Sequence, residues 1–114
     1  MNSQTNLPIE DMVKWRRHLH ENPELSFHEV ETAKYIYQLL KTFPNLELTT
    51  PTENSVVAIL KGAKPGKTIA LRADIDALPI VEEADVAFPS QNEGVMHACG
   101  HDTHTAMLLG ACKV

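Results

Sequence analysis

An α/β fold is what this sequence predicts, on three observations: two stretches with helical apolar spacing near the N-terminus, short β-branched runs in the middle, and an apolar helix-like run before the C-terminus. Pro8 suits the first turn of a helix, where a missing N–H is not needed, and Glu10 and Asp11 complement the positive end of the dipole. Met12, Trp15 and Leu19 then share one face as a core stripe. This helix is expected to end near Glu21, because Asn22 precedes Pro23 and is driven from helical geometry.

Ser26-Phe27-His28-Glu29 fits a capping box, in which the serine hydroxyl accepts from an amide three residues on and the glutamate reaches back to the cap. A second helix is expected from about Phe27, with Val30, Ala33, Ile36 or Tyr37, and Leu40 at helical spacing, stopping by Pro44. Residues 46–50, 55–60 and 68–72 read as strands. The last two are joined by a segment holding Pro65-Gly66, suited to the centre of a type II turn, and are expected to pair as an antiparallel hairpin. Asp74 and Asp76 follow the third strand, where alternation points both carboxylates to one side. Residues 81–94 show no period and read as a loop, and helical character returns from Thr103.

Composition narrows the function classes. With 43% hydrophobic and 22% charged residues in a chain of 114, one domain with a real core is expected. The net charge of −5, with no basic run beyond Lys14, Arg16 and Arg17, argues against a nucleic-acid or acidic-membrane surface. The N-terminus has no signal-peptide pattern, and no stretch approaches the roughly 18 apolar residues of a membrane span. Cys99 and Cys112 do not read as half of a disulfide framework, so a reducing, cytoplasmic location is expected. No internal repeat or linker is visible.

The chemistry concentrates in His97-Ala98-Cys99-Gly100-His101-Asp102-Thr103-His104, which holds three of the six histidines and one of the two cysteines. Cys99 and His101 can face one ion if Gly100 lets the backbone bend through a conformation costly for other residues. A thiolate with an imidazole favours zinc or another later first-row ion over calcium or magnesium. If Asp102 caps the following helix, the positive helix end lowers the thiol pKa and keeps the sulfur ready to bind. The pair alone leaves a second reading open: Cys99 as a small core residue, with His101 or Asp102 satisfying amides at the helix start.

For His97 and His104 a supporting or substrate-facing role is favoured over direct ligation. Asp74 and Asp76 suit orientation of an imidazole, bridging of ions or proton transfer, or else one caps a turn while the other pairs with Arg72. His18, His20 and His28 have no other ligand type at useful spacing, and a solvent-facing or capping role is expected for them.

Three ordered motifs carry a resemblance: the run from Trp15 to Glu29 (WRRHLHENPELSFHE), the run from Leu71 to Pro79 (LRADIDALP), and the run from Gly94 to His104 (GVMHACGHDTH). Together they resemble the M20 metallopeptidase family, in its amidohydrolase branch of hippurate hydrolases, N-acyl-amino-acid deacylases and auxin-conjugate hydrolases. The resemblance implies the N-terminal part of a zinc-peptidase-like catalytic domain, a mixed β-sheet flanked by helices, over residues 1–114. The rest of that domain and a dimerisation domain would lie outside. It implies Cys99 and His101 as metal ligands, with a glutamate, two histidines and a general-base glutamate from positions beyond Val114.

Two divalent ions per full site, zinc, manganese, nickel or cobalt, are implied with it. Other branches carry His-x-Asp-x-x-Pro; here Asp74 stands at the histidine position, and Asp76 matches the aspartate, in an orienting role. Asp74, His97, Asp102 and His104 are left as supporting or substrate-facing residues. The implied activity is metal-dependent amide hydrolysis of an N-acyl amino acid or peptide-like small molecule by a homo-oligomer, with this segment alone inactive. Two alternatives stand beside it: a non-catalytic remnant serving folding or association, and a dipeptidase or carboxypeptidase-type peptidase. An unpaired sheet edge and the apolar face of the last helix are expected to favour self-association.

Overall fold

Apolar spacing and a proline boundary produce the first helix as expected. In the computed structural model, which describes residues 7–114, helix α1 spans Ile9–Glu21 with Pro8 at its N-cap. Residues 1–6, read above as lacking a signal pattern, lie outside the described residues. At the other end the Asn22 amide donates to the carbonyls of His18 and Leu19, and its side chain donates to His18 as well, closing the helix before Pro23. Trp15 and Leu19 are buried as the stripe requires, and His20 is buried beside them.

Helix α2 spans Val30–Lys41 and buries Thr32, Ala33, Ile36 and Leu40, so Ile36 rather than Tyr37 is the core residue. Its start departs from the capping box. Glu29 is the N-cap and makes no side-chain cap bond, and Phe27 takes a left-handed φ of 69° with its side chain exposed. The cap is Glu24 instead: its carboxylate accepts from the Thr32 amide and hydroxyl, both at 2.6 Å, and from the Glu31 amide. A carboxylate satisfies more orphan amides at the positive helix end than a hydroxyl does, which explains the substitution of one for the other. Glu24→Ala is expected to cost about 1–2 kcal/mol. Ser26→Ala should stay within about 0.5 kcal/mol, and urea midpoints of the two variants compare them directly.

Strand β1, Leu46–Thr49, pairs antiparallel with β2, Val57–Leu60, in the register Leu46 to Leu60 and Thr49 to Val57. Leu46, Leu48, Val56 and Ala58 turn toward the core, and Glu47 and Thr49 point away. The expected hairpin of 55–60 with 68–72 is not formed. Residues 68–72 form no strand and have no ladder partner, with Ile69 83% and Leu71 69% exposed. Gly66 lacks the positive φ that a type II turn demands at that position; Gly94 and Gly100 are the glycines that have it. A β-branched run becomes a strand only where a neighbouring backbone offers a ladder, and β1 took that place on β2.

Helix α3, His101–Lys113, begins two residues before the expected Thr103 and packs across α1. The helices meet closely at Gly110, where a Cβ would lie 2.6 Å from the Met12 sulfur. Trp15, Ile36, Leu40, Phe43, Ala106 and Leu109 form the core, with the Trp15 and Phe43 rings 5.7 Å apart.

Irregular backbone brings the three motifs together. Ala77 bridges to Leu25 and Leu78 bridges to Met96, so the Asp74–Pro79 stretch lies between the end of the first motif and the start of the third. The Ala77 amide donates to Glu24, and Leu78 and Met96 exchange two bonds of 2.9 and 3.0 Å. No helix among the described residues is long and apolar enough to cross a membrane.

Candidate functional site

Gly100 sits at the N-cap of α3 with φ 90° and ψ 12°, the left-handed conformation that the Cys-Gly-His turn was expected to need. This bend ends the irregular chain at an exposed Cys99 and sends His101 and Asp102 into the first turn of the helix. Neighbouring helical residues point about 100° apart around the axis, so the two side chains meet different partners.

His101 turns to the second motif. Its Nδ1 lies 2.9 Å from Asp76 Oδ1 and 3.0 Å from the Asp76 carbonyl oxygen. Both partners are acceptors, so Nδ1 carries the hydrogen and the Nε2 lone pair of the neutral ring is left free. An imidazole held in this tautomer by a carboxylate is the arrangement that suits metal ligation, and with the exposed Cys99 thiol the donor chemistry fits a zinc-like ion. Among the described residues, however, no three His, Cys, Asp or Glu side chains converge closely enough to hold an ion by themselves.

Asp102 turns inward and its side chain is fully buried. Oδ2 accepts from Arg16 Nε at 2.9 Å and pairs with His20 Nδ1 at 2.8 Å, while Oδ1 accepts from the Thr103 amide. It therefore ties α3 to α1, and the helix-capping position expected for it belongs to Gly100. His20 continues the chain of contacts, with Nε2 on Glu82 Oε2, and Glu82 Oε1 accepts from the Ser90 amide at 2.6 Å. Burial pushes the Glu82 carboxyl up, but the His20 and Ser90 bonds outweigh it and hold the group below the usual range.

His97 is buried, and neither ring nitrogen has a partner among the described residues. Burial holds its pKa below the ordinary histidine value; Asp102 and Asp76 oppose that shift, and His20 and His101 add to it. His104 is exposed, its ring 6.1 Å from that of His101 and folded over Gly100. Asp74 is exposed and paired with Arg72 at 2.7 Å; that bond and charge lower its pKa, and its backbone carbonyl accepts from the Thr105 hydroxyl. Of the two sequence-level options for the aspartates, pairing with Arg72 falls to Asp74 and contact with an imidazole to Asp76.

A sequence model of peptidase family M20/M25/M40 matches residues 70–114. Over 91% of its length the chain is 59% identical to an N-acyl-L-amino acid amidohydrolase of Geobacillus stearothermophilus, and over 90% it is 53% identical to thermostable carboxypeptidase 2 of Saccharolobus solfataricus. The chain belongs to the M20 peptidase family. Its fold matches the crystal structure of the Bacillus subtilis YXEP protein, described as a dinuclear metal binding peptidase of family M20, with a TM-score of 0.87 and 47% identity. That match covers 91% of this chain and 29% of the other, and the chain spans 28% and 26% of the two relatives above.

The structure thus brings His97, His101, Asp102 and Asp76 of this M20 chain into one neighbourhood and leaves the Asp74 carboxylate outside it, on Arg72. The reading of His20 as a solvent-facing or capping residue is corrected: its side chain is 6% exposed and spans two carboxylates. His18 and His28 are exposed, and the His18 ring stacks on Tyr35 at 3.8 Å. Arg16 and Glu82 were also missed. The available signal was the i,i+4 spacing of Arg16 and His20, which places both along the edge of the Met12 stripe.

Proposed function

We propose that residues 1–114 are the N-terminal part of the catalytic domain of a metal-dependent amidohydrolase. Cys99 and His101 supply two ligands of a divalent-metal site whose other ligands and general-base glutamate lie outside these residues. The observation that carries this reading is the Asp76–His101 bond, which leaves Nε2 free two residues along the chain from an exposed thiol. When bound, the metal polarises an amide carbonyl and acidifies water. Asp76 holds the His101 ring and its tautomer, Cys99 contributes thiolate charge, and Asp102 fixes the first helix turn that carries His101. His104, exposed near His101, takes the substrate-facing role, and the buried His97 a supporting one.

The substrate we propose is an N-acyl amino acid. The names of the amidohydrolase and carboxypeptidase relatives share one chemical scaffold, an acyl group joined through an amide to an amino acid with a free carboxylate. A carboxypeptidase-type activity is accordingly the second reading, favoured by the Saccharolobus relative. A dinuclear site is supported by the description of the YXEP protein. Hydrolysis needs groups beyond the described residues, so the 114-residue chain alone is expected to hold a metal ion through two protein ligands, with water completing the shell, and without turnover.

Cobalt titration tests the ligand assignment. Co²⁺ added to the chain should raise a thiolate-to-cobalt charge-transfer band that Cys99→Ser removes. His101→Ala should raise the Kd by more than the roughly 10–100-fold typical of changes to residues that only orient a ligand, and Asp76→Ala should fall within that range. Absence of the band, or a band untouched by Cys99→Ser, would overturn the assignment.

A further inference from the structure

We propose that His20 is a positioning residue for the metal turn, acting through Asp102, and that helix α1 is thereby part of the site. The inference rests on the Cys99 and His101 assignment above. Asp102 follows His101 directly, so whatever fixes the Asp102 side chain fixes the rotation of the first turn of α3 and with it the direction of the His101 ring. Two α1 residues hold it, Arg16 at 2.9 Å and His20 at 2.8 Å, both on the same oxygen. On the far side of His101, Asp76 holds Nδ1. The ligand is therefore set from two directions, by Asp76 directly and by α1 through its neighbour.

His20 has a second arm. Nε2 contacts Glu82, whose other oxygen takes the Ser90 amide, and Phe88 from the same loop lies under the guanidinium groups of Arg16 and Arg17 at 5.0 and 4.8 Å. Each ring nitrogen of His20 meets one carboxylate, Nδ1 that of Asp102 and Nε2 that of Glu82. One ring thus joins the 82–90 loop to the metal turn, and its two arms can be cut separately. An asparagine amide nitrogen reproduces the position of Nδ1, and a glutamine amide nitrogen that of Nε2. His20→Asn keeps the Asp102 contact and gives up Glu82; His20→Gln does the reverse.

Co²⁺ affinity of folded protein, with folding checked by circular dichroism, reads the difference. His20→Gln is expected to weaken binding by about tenfold and His20→Asn to leave it within about threefold, the former being the typical loss when a ligand's orienting partner is removed. Arg16→Gln, at a half-buried position holding the same Asp102 oxygen, should also weaken binding and decides the matter if His20→Gln does not fold. A purely structural His20 would lower the melting temperature in both variants without separating their affinities. Equal Kd values in the parent, both His20 variants and Arg16→Gln would overturn this proposal and leave the ligand assignment standing. Equal weakening by Asn and Gln would overturn it too, since the effect would not run through Asp102. No cobalt band in the parent chain would remove the ligand assignment and this inference together.

Discussion

Asp102→Ala is expected to destabilise the chain by about 3–5 kcal/mol, the range for breaking a buried ion pair by removing one partner. The carboxylate has no solvent exposure and takes three contacts, from Arg16, His20 and the Thr103 amide. Its removal leaves the Arg16 Nε and the His20 Nδ1 without their shared acceptor, with Glu82 still on the other face of the imidazole, and one helix amide unpaired. Against a typical domain stability of about 5–15 kcal/mol, that is a large fraction. Asp102→Asn keeps an acceptor and the shape while removing the charge, and should lose less. Urea unfolding followed through Trp15, the single tryptophan and buried in the core, measures both. A loss under about 1 kcal/mol for the alanine variant would show that the link between α1 and α3 is not held by this group.

The second large effect is expected at Leu109. This residue is 3% exposed in the core between α1 and α3, and Leu109→Ala should cost about 2–5 kcal/mol from lost burial and the cavity left behind. The informative comparison is Leu71→Ala. Both leucines sit in apolar runs of the sequence, but Leu71 is 69% exposed in the unpaired 68–72 segment, and its truncation should stay within about 0.5 kcal/mol. Equal losses at the two positions would mean that residues 68–72 are packed in solution, as the expected hairpin required. Urea midpoints at constant m-value separate the cases.

The contrast between these leucines shows where local pattern stops being sufficient. Met12, Trp15 and Leu19, and then Ala33, Ile36 and Leu40, follow a helical period set by the backbone itself, and the two helices lie where that period predicts. Strands differ because half of what defines them is the partner. Residues 46–50 and 55–60 were legible as strands, yet their pairing with each other was missed, and Pro65-Gly66 offered a local turn signal that the fold did not use. At α2 the capping box failed for a related reason. Ser26 was the nearest hydroxyl in the sequence, but Glu24 reached the same amides with a charged group.

The site divides along the same line. His97, Cys99, His101 and Asp102 stand within six residues, and the glycine between thiol and imidazole announces the left-handed bend, so the turn and its donor chemistry were readable from composition and spacing alone. The sequence by itself thus determined the helices, the left-handed turn and the residue types able to meet an ion, because each depends on neighbours along the chain. Only the tertiary structure decided that Asp76 and not Asp74 holds His101, that His20 lies buried between Asp102 and Glu82 across separations of 82 and 62 residues, and that 68–72 stays unpaired. Those outcomes depend on which elements pack together, and the burial that makes a charge seek a partner exists only once they have.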